Sequence, residues 1–90
     1  MLNQALIIGH IKELTANSML VTINHPYKKD KESLIDVYFD GNNILNNVRE
    51  HTLPNDIVGV KGYLIVENGL LKLIGTKVTS LSHSNVEEVN

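Results

Sequence analysis

Short segments of alternating hydrophobic and polar residues, separated by turn residues, make up the first half of the chain. Ala5–Leu14 is an apolar strand segment interrupted by Gly9, which indicates a bulge, a sharp bend or a close approach of two backbones. Met19–Asn24 alternates as a second strand, and the Ala-Asn-Ser turn between the two segments predicts a hairpin. After a charged loop, Leu34–Asp40 alternates as a third strand.

The second half changes from strand spacing to helical spacing and back. Apolar residues recur at helical spacing from Ile44 to Val48, after an asparagine that can supply the N-cap, and Pro54 requires the helix to end before it. Ile57–Val66 and Leu70–Leu81 alternate as two long strands, and the Asn-Gly pair between them is a strong hairpin signal.

This order of elements predicts an all-β fold, a five-stranded OB-fold barrel with one short helix between strands 3 and 4. An SH3-like barrel is the main alternative, but it would not place an amphipathic helix at that point. We expect the barrel to comprise residues 1–82, with the helix closing its open end, and residues 83–90 to form a polar, frayed tail. A chain of 90 residues has no room for a second domain.

Composition excludes several kinds of chemistry. Cysteine is absent, which excludes disulfides, thiolate zinc sites and cysteine nucleophiles. The histidines lack metal-ligand spacing and there is no nucleophile elbow or phosphate-binding glycine loop, so we predict no catalytic residue, metal site or cofactor. Neither a secretory signal nor an apolar run of about 20 residues is found, so we expect a cytoplasmic protein without enzymatic activity.

The charges nearly cancel. Eight Lys and Arg residues face ten Asp and Glu residues, and two of those acids, Glu87 and Glu88, lie in the tail, so residues 1–82 are formally neutral. A protein that wraps duplex DNA by counterion release is normally basic. The composition therefore argues against a strong duplex-binding protein.

Aromatic and basic residues are nevertheless interleaved around the third strand. Barrels of this type bind single strands across strands 2 and 3, where bases stack on aromatic rings and ammonium groups contact phosphates. The candidate nucleic-acid-binding residues are Tyr27, Lys28, Lys29, Lys31, Tyr38, Lys61, Tyr63 and Lys72. The alternative interpretation is a solvated loop of mixed charge at 28–32 beside ordinary outward tyrosines of a sheet.

The first strand carries another candidate surface. If the alternate residues that include Gly9 point inward, then Leu6, Ile8 and His10 point outward. Aliphatic side chains on an exposed strand need covering. A symmetry-related copy packed against this strand would cover them and protect its edge. We predict a homodimer or homotetramer with these three residues at the interface; burial under the chain's own tail or a loop is the alternative.

The opening Met-Leu-Asn-Gln-Ala-Leu-Ile-Ile-Gly-His-Ile and the segments Leu53–Leu64 and Leu73–Leu81 carry a family resemblance. The opening is similar to the Met-x-Asn-x-Val-x-Leu-x-Gly-x-Leu start of the bacterial single-stranded DNA-binding protein (SSB) family. Leu53–Leu64 is similar to that family's helix end, turn and fourth strand, and Leu73–Leu81 resembles its fifth strand. The resemblance covers residues 1–82 and implies an OB barrel that pairs through the first strand and binds single-stranded DNA.

The chain departs from that family at several places. Gln4 replaces the usual basic residue after the opening asparagine, and the Gly/Pro/Gln-rich tail with its acidic, Phe-ending tip is missing, so no recruitment of partners through such a tip is expected. The family's third strand commonly carries Trp or Phe on the DNA-binding face. Alignment on Gly41 puts Leu34, Asp36, Tyr38 and Asp40 on that face.

A gapless alignment would shift this register by one residue and expose the other set, Ile35, Val37 and Phe39. We prefer the first register because it keeps the apolar set in the core.

Two functional hypotheses remain. The first is a protein that coats or protects single-stranded DNA in replication, recombination or repair, without catalysis. The other is an OB-fold protein-interaction module, an accessory subunit of a replication or mobile-element complex with weak or no DNA binding of its own. The neutral charge, the missing tail and the two carboxylates Asp36 and Asp40 on the presumed binding face favour this module.

Overall fold

Five strands and one helix follow one another in the predicted order in a computed structural model, which describes residues 3–24, 27–28 and 30–82. The elements are β1 (Ala5–Leu14), β2 (Ser18–Asn24), β3 (Glu32–Phe39), α1 (Asn43–His51), β4 (Ile57–Glu67) and β5 (Leu70–Ser80). The predicted tail at 83–90 lies outside the described residues. No helix within the described part of the chain is long and apolar enough to span a bilayer.

The strands close into a barrel in the order β1-β2-β3-β5-β4. All neighbours are antiparallel except β3 and β5, which run parallel and pair only between Val37–Phe39 and Leu73–Gly75. The helix α1 lies between β3 and β4 in sequence, and its buried Leu45 and Val48 join the core. The predicted five-stranded OB-fold with one short helix between strands 3 and 4 is therefore confirmed.

The core contains the residue set that the preferred register of the third strand places inside. Val37 is fully buried, and Ile35 and Phe39 pack against the core as partly buried residues. The outward set is Leu34, Asp36, Tyr38 and Asp40, of which only Tyr38 is half-buried. The register from Gly41 is thus confirmed, and the gapless alternative is wrong because it would turn the apolar set into solvent.

Glycines stand where two backbones come too close for a side chain. A Cβ on Gly9 would meet the carbonyl oxygen of Thr22, and one on Gly62 would meet that of Ile74. Of the three interpretations of Gly9, close approach is therefore correct, while the irregularity in β1 falls between Ile11 and Glu13. The absence of a side chain at these two positions allows the backbones of β1 and β2, and of β4 and β5, to approach closely.

Two turns fix the ends of β4. Before it, Asn55 has a φ of 72° and the carboxylate of Asp56 accepts a hydrogen bond from the Leu53 N–H at 2.9 Å. After it, Asn68 and Gly69 have φ values of 54° and 79°, the positive pair that a two-residue type I′ hairpin requires. The turn chemistry predicted from the sequence is confirmed at this hairpin.

Side-chain hydrogen bonds complete the helix and the amino-terminal edge. Asn42 occupies the predicted N-cap position, and its side chain makes no capping hydrogen bond. Arg49 instead ties α1 to the β1–β2 turn, donating to the Thr15 carbonyl oxygen at 2.8 Å. The Asn3 amide pairs with both backbone polar groups of Leu64, at 2.7 and 3.1 Å, and so extends the β1–β4 ladder by one side chain.

The close contact at Gly62 predicts a stability difference between two glycines of β4. We expect Gly62→Ala to lower the free energy of unfolding by about 1–3 kcal/mol, because the added methyl collides with the backbone of Ile74. Gly59→Ala is the matched control: its methyl would reach only Leu81 Cδ1, at 3.9 Å, and should change stability by less than about 0.5 kcal/mol. Urea denaturation at one protein concentration measures both, and equal losses would contradict the prediction.

Candidate nucleic-acid interface

A cleft opens between two hairpin arms on the barrel. The β3–β5 ladder covers only three residue pairs, so Glu32–Asp36 of the β2–β3 arm and Leu70–Lys72 of the β4–β5 arm are not paired with each other. The space between the arms measures about 490 Å³. It contains two of the predicted binding residues, Tyr38 and Lys72.

The interior of the cleft is apolar because the inward faces of the strands continue beyond the closed part of the barrel. Its lining is formed by Ala5, Ile7, Ile35, Leu64, Leu71 and Leu73, with Leu34, Asp36, Tyr38, Leu70 and Lys72 at the rim. Leu70 and Leu71 expose 64% and 68% of their surface. An exposed apolar patch of this kind is typical of a binding surface.

Two tyrosines flank one isoleucine on the outer face of the sheet, in a row that starts at the rim residue Tyr38. Tyr38 of β3 and Tyr63 of β4 both pair with Ile74 of β5, one from each side. Because paired residues of neighbouring strands share a face and strands lie about 4.8 Å apart, the two tyrosine backbones are about 10 Å apart on one surface. Both tyrosines are half-buried, so part of each ring remains accessible.

The ammonium group of Lys72 lies over one of these rings. Its Nζ is 5.1 Å from the centroid of the Tyr38 ring, a cation–π distance. The same Nζ donates a hydrogen bond to Glu67 Oε1 at 2.7 Å. The hydrogen bond from Lys72, reinforced by its charge, lowers the pKa of the Glu67 carboxyl, and the hydrogen bond to Glu67 raises the pKa of Lys72.

Carboxylates limit the positive charge of this rim. Asp36 lies beside Tyr38 on β3 and accepts a hydrogen bond from the Ser18 hydroxyl at 3.2 Å. With Glu67 on the opposite arm, it puts two carboxylates close to Lys72. No group of three His, Asp or Glu side chains that could hold a metal ion is found in the described part of the chain.

The other predicted binding residues lie outside the cleft. Tyr27, 89% exposed, and Lys28 and Lys31, also exposed, belong to the segment that connects β2 to β3. Lys29 lies outside the described residues. Lys61 is directly opposite Leu6 of β1 and Lys77 of β5, so the structure does not bring it together with Tyr38.

The predicted interface residues share the face that contains Lys61. Leu6 and Ile8 expose 73% and 60% of their surface, and His10 is exposed as well. Leu6 and Ile8 line a shallow depression of about 330 Å³ together with Gly59, Lys61, Lys77, Thr79 and Leu81. Within the described part of the chain, two aliphatic side chains are therefore exposed on this face.

Sequence reasoning missed the aliphatic lining and Glu67. The lining residues Leu64 and Leu71 have the pattern of ordinary alternating strands, because alternation does not show where the barrel stops being closed. Glu67 could have been found: a two-residue turn at Asn68 fixes the hairpin register, which pairs Ile65 with Lys72 and puts Glu67 diagonally across from that lysine.

The closed five-stranded barrel, the helix between β3 and β4 and the cleft between two hairpin arms define the chain as an OB-fold of the kind found in SSB proteins. No family model matches the chain, and no curated protein sequence is significantly similar to it. Solved structures do match.

Three of these structures illustrate the similarity. The mitochondrial single-stranded DNA-binding protein of S. cerevisiae matches with a TM-score of 0.71 at 16% identity, over 91% of this chain and 96% of that one. The second single-stranded DNA-binding protein of Mycobacterium smegmatis gives 0.69 at 16% identity, over 90% of both chains. A chain of the Stn1–Ten1 complex of S. pombe gives 0.63 at 17% identity, over 98% of this chain and 65% of that one.

The ion pair at the rim predicts a measurable titration difference. Because Lys72 favours the charged form of Glu67, we expect the Glu67 carboxyl to stay ionised to lower pH than an unpaired glutamate, and Lys72→Met to raise its pKa towards the ordinary value. A carbon-detected NMR titration follows the carboxyl directly. Lys77→Met, five positions along β5 and about 16 Å away by strand spacing, should leave the Glu67 pKa unchanged; an equal effect of both substitutions would contradict the assignment.

Proposed function

We propose that this protein binds single-stranded DNA along the cleft rim. Bases stack on Tyr38 and Tyr63, and the ammonium groups of Lys72, Lys28 and Lys31 contact phosphates. The observation that carries this proposal is the Tyr38–Ile74–Tyr63 row, with an ammonium 5.1 Å from the Tyr38 ring centroid. Aromatic platforms beside cations are what a sequence-tolerant single-strand site requires.

The charges of the site set the expected strength of binding. Base stacking contributes about 1–3 kcal/mol per base, and the rim offers two tyrosines for it. Three lysines contacting phosphates set a limit of about −2 for the slope of log K against log salt, reached only when all three are free to release counterions. Asp36 and Glu67 oppose the phosphates, so we expect weaker binding than by a barrel with a basic, Trp-bearing cleft.

The biological role that fits is coating or protecting single-stranded DNA during replication, recombination or repair in the cytoplasm. The fold supports this proposal because two of the matched structures are named as single-stranded DNA-binding proteins. No catalytic step is part of it.

The proposal also includes self-association through β1. Leu6 and Ile8 leave an aliphatic surface exposed, and an isologous contact between two copies would cover it. His10 lies at the end of the same outward row. A homodimer, or a homotetramer built from two dimers, would cover these residues.

Another candidate function is favoured by the backbone of the cleft. Glu32–Asp36 and Leu70–Lys72 have no strand partner on the cleft side in the described structure, and the lining between them is aliphatic. An extended apolar segment of another protein could add to either edge as a strand. On this account the chain is an accessory subunit of a replication or mobile-element complex, with weak or no DNA binding of its own.

Substitution of Tyr38 tests the stacking role. We expect labelled oligo-dT to bind in a fluorescence anisotropy titration at low salt, and Tyr38→Leu to weaken binding about five-fold or more, because it removes the π face but keeps an apolar side chain. Tyr38→Phe should bind nearly as well as the wild type. Leu53→Ala, an exposed residue just beyond the end of α1, is the control and should have no effect.

The same titration separates the two candidate functions. Absence of binding at micromolar protein would contradict the DNA-binding proposal. The accessory-subunit alternative then requires one stoichiometric partner whose binding is lost on Leu71→Ser, in the cleft, and retained on Leu53→Ala.

Self-association is tested by making the β1 face polar. We expect the wild type to elute as a dimer or tetramer in size-exclusion chromatography with light scattering, and the double variant Leu6→Ser, Ile8→Ser to be monomeric, because the aliphatic contact is lost. Circular dichroism checks that the variant is folded. A wild type that is monomeric at tens of micromolar would rule out this interface.

A further inference from the structure

We propose that Glu67 is a built-in competitor of the nucleic-acid phosphate for Lys72, and that it lowers the affinity of the cleft for single strands by holding this lysine over the Tyr38 ring. The inference rests on the proposed function and deepens it, because it assigns an affinity-setting role to a residue that contacts neither base nor phosphate.

A carboxylate and a phosphate both present anionic oxygens to an ammonium donor, and the Lys72 Nζ is 2.7 Å from Glu67 Oε1 in the free protein. A phosphate that approaches the rim must therefore replace an existing charge-assisted hydrogen bond rather than form a new one. While the ion pair is intact, Glu67 neutralises the charge of Lys72, so this lysine attracts DNA phosphates fully only after the pair breaks.

The position of Lys72 also restricts the access of a base to the Tyr38 ring. The ammonium that Glu67 holds is the same group that covers one side of the Tyr38 ring. A base can stack on that side only when Lys72 moves away, and moving it away breaks the bond to Glu67. The two requirements for binding at this point, a free ring face and a free ammonium, are thus controlled by one carboxylate.

Glu67 is distinguished from the other acids near the cleft by its partner. Asp36 accepts its hydrogen bond from the Ser18 hydroxyl and pairs with no lysine among the described residues. Glu32, exposed at the start of β3 opposite Asn24, likewise makes no ion pair in the described part of the chain. These carboxylates oppose phosphates only through space, whereas Glu67 acts through Lys72.

The expected gain in affinity for single-stranded DNA is modest because exposed ion pairs contribute little free energy. Removal of Glu67 should raise affinity about two- to five-fold at low salt. It should also steepen the slope of log K against log salt by about 0.7, the contribution of one additional phosphate contact to a single strand. The salt slope is the readout that a purely structural effect on the hairpin would not change.

The experiment is a double-mutant cycle on oligo-dT binding, measured by anisotropy over a range of salt. Glu67→Gln is made in the wild type and in Lys72→Met, and Glu32→Gln in both backgrounds is the matched control for loss of one charge near the cleft. We expect Glu67→Gln to increase affinity and salt slope in the wild type and to have no larger effect than Glu32→Gln in Lys72→Met. Glu32→Gln should have the same small effect in both backgrounds.

Three results would overturn the inference. In the first, Glu67→Gln binds like the wild type; in the second, it raises affinity equally with and without Lys72. Either result would show that the carboxylate does not act through this lysine, and would leave the proposed function intact. A wild type and a Glu67→Gln variant that both fail to bind at micromolar protein would refute the proposed function and the inference with it. Urea denaturation of each variant confirms that comparisons are made between folded proteins.

Discussion

Three residue pairs close the barrel, and the remaining features of the protein depend on them. The parallel contact of Val37–Phe39 with Leu73–Gly75 joins the two ends of an otherwise antiparallel sheet. Gly75 makes this contact possible: a Cβ there would lie 2.7 Å from a ring carbon of Phe39. Since the closing ladder is short, the strands on either side of it continue as separate arms, and the space between those arms is the cleft.

Closure also explains why the core is accessible at one end only. On one side, α1 covers the barrel with Leu45 and Val48, and Arg49 ties it to the β1–β2 turn. On the other side no element covers the inward faces of the arms in the described structure, so Leu64 and Leu71 remain in contact with solvent. The same alternating pattern thus produces core in the closed region and a binding surface beyond it.

Much of the fold could be predicted because its signals are local. Period-two alternation identified the strands, and Asn68-Gly69 fixed a hairpin whose positive φ angles the structure contains. The inward set of β3 followed from the rule that apolar residues occupy one face. These inferences need only the properties of neighbouring residues.

The candidate site could be predicted only in part, because it depends on long-range pairing. The sequence predicts Tyr38 and Lys72 as binding residues, but their contact comes from the parallel β3–β5 ladder, which no local pattern specifies. Lys61 lies two residues before Tyr63 on β4, yet β1 lies beside it and puts it next to Leu6. Alternation tells which side of a strand a residue occupies, and only the strand order tells what it meets there.

The side chain of Asn3 has a practical consequence for work with this protein. Its amide is bound to the backbone of Leu64, a residue that lines the cleft. The chain therefore enters the barrel at the mouth of the cleft. A purification tag or dye attached at that end would lie beside the cleft, whereas Ser82, whose Oγ accepts a hydrogen bond from the Ile57 N–H, lies at the opposite end of β4.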